Sequence, residues 1–109
     1  MNLRTPNEQL TQLISRYAQA AMTSRQIARR VWSLFPARYK QLKGELARGG
    51  FAGGRVERLA LTDPRFEDIV RELTDVSHAA LQARIEYETH AMLFKARQSL
   101  RALRQHKVR

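Results

Sequence analysis

Apolar side chains recur every three or four positions over most of this chain, the repeat of α-helices that bury one side. In the first third, Leu10, Leu13, Ile14, Tyr17, Ala18, Ala21 and Met22 keep that spacing, and Ile27, Ala28, Val31, Trp32 and Phe35 continue it. The run opens on Thr5-Pro6-Asn7-Glu8. Thr5 is placed to cap, Pro6 suits the first turn and Glu8 can reach back as in a capping box. The spacing predicts a helix over about 6–34, with a fresh start near 23 as the alternative, because Thr23 and Gln26 have capping-box spacing too. Pro36 disfavours a helical Phe35, so a bend is expected there, followed by a shorter helix over about 36–48.

Gly49-Gly50-Phe51-Ala52-Gly53-Gly54 then interrupts the pattern, and a glycine-rich loop is expected over 49–62. Asp63-Pro64 restarts it with a natural cap and a favoured first residue, followed by Glu67 and Asp68 at the positive end of the helix dipole. Phe66, Ile69, Val70, Leu73, Val76, Ala80, Ala83 and Tyr87 follow, and Leu81, Ile85, Met92, Leu93, Ala96, Leu100 and Leu103 extend the apolar surface. A helix over about 64–106 would be roughly 65 Å long at 1.5 Å per residue. The expected architecture is therefore all-α: one helical domain over 1–109, an elongated hairpin with coiled-coil-like packing. A lone hairpin leaves apolar surface wet, and Ala79, Ala80, Ala83, Ala91, Ala96 and Ala102 allow close helix approach. A homo-oligomer is the corresponding expectation.

Charge narrows the function classes. The 109 residues include 20 Lys and Arg against 10 Asp and Glu, a net +10 with a pI near 11.2. Residues 1–62 hold 11 basic and 3 acidic side chains, 63–94 hold 3 and 7, and 95–109 hold 6 basic and none acidic. The acidic stretch suits packing beside the basic first helix, which leaves basic ends for a polyanion. There is no cysteine, which excludes disulfides, thiolate metal sites and a cysteine nucleophile. No apolar run approaches a membrane span, and Met1 to Pro6 lacks the apolar core of a signal peptide, so a cytoplasmic protein with no membrane partner is expected.

Catalytic constellations are not in view. His78, His90 and His106 lack His-x-x-x-His spacing, and Glu86 with His90 would need further ligands, so neither metal nor cofactor is expected. A solvated or helix-pairing role is the simpler one for these histidines. Ser15, Ser24, Ser33, Ser77 and Ser99 all fall within predicted helices, with no Gly-x-Ser-x-Gly elbow. Glu67, Asp68, Glu72 and Asp75 read as a solvated acidic face with Arg65 and Arg71 as salt partners. The glycine cluster lacks the Gly-Lys-Ser/Thr ending of a phosphate loop, although Arg55 and Arg58 after it can touch a phosphate. The expectation is a protein that is not an enzyme.

The basic side chains are the remaining candidates. Arg97, Arg101 and Arg104 recur at four and three, forming a stripe with Leu100 and Leu103 pointing elsewhere, while Lys95, Lys107 and Arg109 add charge to the same tip. Arg25, Arg29, Arg30, Arg38, Lys40 and Lys43 make a second cluster, interrupted by Trp32 and Tyr39. Rings among cations suit single-stranded nucleic acid, where bases stack and cations follow the phosphates, although Trp32 also fits the apolar stripe with Val31 and Phe35. Thr23 to Arg30 looks like the first helix of a helix-turn-helix, but Val31 to Phe35 run on without the expected turn.

Ala79-Ala80, Glu86-Tyr87-Glu88 and the run Met92 to Leu100 resemble the alanine-spaced C-terminal helix of small helical proteins encoded by phages and mobile elements. Some of those are similar to recombination mediators, which load a recombinase on single-stranded DNA. The resemblance covers about 45 residues and assigns no functional residue. It implies a nucleic-acid-binding accessory protein of low sequence specificity in phage or mobile-element recombination or replication. The alternative is a helical adaptor or assembly subunit that docks on an acidic protein partner.

Overall fold

The computed structural model describes residues 6–51 and 53–108, and the regular structure among them is entirely helical: α1 is Pro6–Arg48, α2 is Gly54–Thr62 and α3 is Pro64–Val108. The proposed cap at Thr5 lies outside the described residues.

α1 differs from the sequence expectation because it is one helix of 43 residues, unbroken at Thr23–Gln26 and continuous through Pro36. A proline inside a helix withdraws one N–H from the ladder and crowds the carbonyl four residues before it, a cost of about 3 kcal/mol. Packing offsets that cost. Phe35 stacks on Tyr39 at 5.9 Å and meets Trp32 and Phe66, each at 6.4 Å, while Tyr39 meets Phe66 at 5.6 Å. Aromatic pairs of this kind contribute about 0.5–1.5 kcal/mol each beyond their burial. The cluster straddles Pro36, and Phe66 of α3 holds both sides of it in helical register.

α2 lies inside the stretch expected to be a loop over 49–62. Val56 and Ala60, one turn apart, are both buried, and this short apolar face gives the segment its helix. Gly49 and Gly50 close α1 by donating N–H bonds back to Glu45, Leu46 and Ala47 carbonyls. Gly50 at φ 98° and Gly53 at φ 62° take the left-handed conformations that glycine tolerates.

α3 starts as the sequence predicts, at Asp63-Pro64, and reaches Val108 rather than stopping near 106. An Asp63 carboxylate oxygen accepts the Arg65 backbone N–H at 2.9 Å, a side-chain cap on the first turn.

The chain divides into two compact units: Met1–Ser24 with Ala80–Arg109, and Arg25–Ala79. In the Arg25–Ala79 unit, α1 and α3 run antiparallel, with Trp32 bonded to Ser77 and Arg38 to Glu72, and α2 supplies a third side. Ala28, Leu42, Val56, Ala60, Ile69 and Leu73 form its buried core. The other unit has two helical segments. Tyr17 stacks on His90 at 4.2 Å with the rings 11° from parallel. Leu10, Ile14, Tyr87 and Phe94 are half-buried there, and no described side chain of that unit is fully buried.

Candidate nucleic-acid interface

In the unit containing both chain ends, α3 presents Arg97, Arg101 and Arg104 at helical spacing, all exposed. Arg97 and Arg101 line a cleft with Phe94 and Gln98 and, from α1, Pro6, Asn7 and Leu10. The antiparallel pairing thus brings the start of α1 beside the arginines. First-turn N–H groups have no acceptor within their own helix and give that end a partial positive charge. Leu100 lies on the same shallow surface as Arg97, Arg101 and Arg104, correcting the expectation that it points elsewhere.

Among the described residues, carboxylates hold Arg38, Arg65, Arg71 and Arg84, and none holds Arg97, Arg101 or Arg104. Lys95 is exposed but sits nearly half a turn around α3 from the arginine stripe at 3.6 residues per turn. The Lys107 side chain and Arg109 lie outside the described residues.

The Arg25–Ala79 unit sorts the second cluster into three groups. Continuity of α1 through Pro36 puts Arg25, Arg29, Lys40 and Lys43 on one side with Trp32, because Arg25 and Lys43 are five turns apart. Arg30 projects from another side of the helix. Arg38 is spent on Glu72 at 2.7 Å. Of the two rings, Tyr39 is half-buried in the aromatic cluster with Lys43 over its face at 4.6 Å. Trp32 is 51% exposed, and its indole N–H donates to Ser77 Oγ at 2.9 Å, which fixes the ring's orientation while leaving much of it open. Arg55 lies over the Phe51 ring at 5.6 Å, and Arg58 is exposed.

No protein family, curated protein or solved structure matches this chain. The side chains themselves are therefore the basis for function.

A further ion-pair cluster lies at the junction of α2 and α3. The Arg65 side chain, and then its backbone N–H, hold the Asp63 carboxyl below the usual aspartate range. Arg65 also reaches Glu45 of α1, so this guanidinium is spent within the fold. No three His, Asp or Glu side chains converge among the described residues, and His90 is engaged in pairing the helices. No helix among them is long and apolar enough to cross a membrane.

Sequence reasoning did not find the approach of Pro6, Asn7 and Leu10 to Arg97 and Arg101. Helical spacing groups residues along one helix but does not set the register between two. The relevant signal was the matching of cationic and acidic stretches, which is too coarse to align individual turns.

Proposed function

We propose that this protein is a non-enzymatic nucleic-acid-binding accessory protein that grips phosphates with little regard to sequence. The observation that carries the reading is the exposed arginine stripe Arg97, Arg101 and Arg104, with no carboxylate among the described residues on any of the three. Guanidinium groups make charge-assisted bonds to phosphate oxygens, and such contacts position a nucleic acid without reading its bases. The Arg25, Arg29 and Lys40 side of α1 supplies further cations, and Trp32 an open ring on which a base can stack. The likeness of the C-terminal third to helices of phage and mobile-element recombination accessories points the same way.

Binding of this kind releases counterions. Replacing Arg97, Arg101 and Arg104 together by Ala should weaken binding and flatten the log–log salt slope by about 2 for a single strand and about 3 for a duplex. Fluorescence anisotropy of a labelled oligonucleotide across a salt series measures both effects. An unchanged slope in the triple variant removes these arginines from the interface.

A further inference from the structure

α3 has two apolar sides within the unit containing both chain ends. One is inward: Ala83, Tyr87, His90 and Phe94 are half-buried. The other faces solvent. Leu81, Met92 and Leu103 follow one another at intervals of eleven residues and are 54%, 67% and 58% exposed, with exposed Ile85 and Ala96 between them. Eleven residues fall only about 20° beyond three full turns, so these side chains form one nearly straight ridge. A monomer gains nothing from holding such a ridge in water.

We infer that the ridge is the seam of an antiparallel pairing with a second copy of this chain, centred on Met92. The charges choose both the occupant and its direction. Leu81 and Leu103 stand eleven positions either side of Met92, so reversing the helix lays Leu81 on Leu103 of the second copy and Met92 on its own counterpart. Glu88 and Lys95 stand on the same flank of the ridge, four positions before Met92 and three after it. In an antiparallel pair equivalent flanks meet, which sets Glu88 against Lys95 of the second copy, twice by symmetry. Glu88 already accepts from Arg84 at 2.9 Å on its own helix, so its carboxylate would be shared between two cations.

The parallel alternative lacks these matches. Opposite flanks would meet, leaving Glu88 facing the Thr89 and Gln82 side, and two copies of 95–109, each with six basic and no acidic side chains, would lie side by side. Antiparallel pairing separates those ends. It also leaves the arginine stripe uncovered, since Arg97, Arg101 and Arg104 lie about 130° around the helix from the ridge. The pairing stands independently of the nucleic-acid reading and is tested without any oligonucleotide.

The nuclease-treated 109-residue chain should sediment at twice its 12.6 kDa mass; a single-chain mass at high micromolar concentration overturns the inference. Direction is tested by single thiols, for which the cysteine-free chain gives no background. Met92→Cys should be joined into dimers by a short bismaleimide, Leu81→Cys alone should not, and a mixture of Leu81→Cys with Leu103→Cys should. Positions 81 of the two copies would be about 33 Å apart in the antiparallel pair. Leu81→Cys joining itself as readily as Met92→Cys means parallel pairing and rejects the proposal. Glu88→Lys should weaken association about tenfold with helical circular dichroism retained, and adding Lys95→Glu should restore it to within about threefold. A double variant as weak as the single one rejects the register.

Discussion

The two units differ in what a helix pair can bury. Arg25–Ala79 contains α2 besides its segments of α1 and α3, and the six buried side chains all belong to it. Among the described residues, the unit of both chain ends has only α1 and α3, and its apolar residues stop at half burial, with Leu81, Ile85, Met92, Leu93, Leu100 and Leu103 more than half exposed. Similar helical sequence thus has two outcomes. Two helices cover one stripe on each other; a third element is needed before side chains are enclosed on all sides. In the first unit the nine residues of α2 are that element. In the second the chain contains no equivalent among its described residues, and the inferred second copy takes its place.

The largest expected contrast comes from truncating one leucine in each unit. Leu73 is 5% exposed, and Leu73→Ala should lower stability by about 2–4 kcal/mol through lost transfer energy and the cavity left behind. Leu13 is 38% exposed, and Leu13→Ala should cost about 1 kcal/mol. Urea unfolding followed by circular dichroism measures both losses, and the fluorescence of Trp32, the sole tryptophan, reports on the Arg25–Ala79 unit. Equal losses would mean that the two units are packed alike, and the comparison would fail.

Pro36→Ala sharpens the same comparison from the opposite direction. Alanine restores an N–H toward the Trp32 carbonyl and relieves crowding in an exposed stretch of α1, so stability should rise by about 1–3 kcal/mol. A fall in the urea midpoint would show that α1 depends on the ring at Pro36 rather than tolerating it.

Pro36 also marks where sequence legibility ended. Helix class, the Asp63-Pro64 start and the long α3 were readable, because periodicity and capping chemistry are local. The bend expected at Pro36 was not formed, because Phe66, 30 positions away in sequence, packs on Phe35 and Tyr39 and outweighs a local preference. α2 was missed for a different reason. Nine residues that start on a glycine, with one buried pair a turn apart, give too little periodicity to separate a helix from a loop. At the candidate interface the stripe Arg97, Arg101, Arg104 was legible from spacing, whereas the pairing of Arg38 with Glu72 needed the register between α1 and α3.

The smallest effect is a pH dependence confined to one unit. The Asp63 carboxyl is held below its ordinary value by the Arg65 side chain and backbone N–H, so the folded state binds its proton less readily than the unfolded chain does. A lowered folded value means that the stabilisation is present in full above the unfolded aspartate value, about 3.9, and is lost as pH falls through the folded value. Acidification below about pH 4 should therefore loosen the α2–α3 junction, seen as faster exchange of the Arg65 amide, whose N–H the carboxylate accepts. Asp63→Asn keeps a capping oxygen but loses the charge that attracts Arg65, and should remove that pH response while the amide stays partly protected. The other unit gives the control. The carboxylate–guanidinium pair among its described residues, Glu88 with Arg84, is exposed and lies within a single helix, so it ties no two elements together. Acid-accelerated exchange of the Arg65 amide that persisted unchanged in Asp63→Asn would mean that this carboxylate is not the acid-sensitive point of the α2–α3 junction.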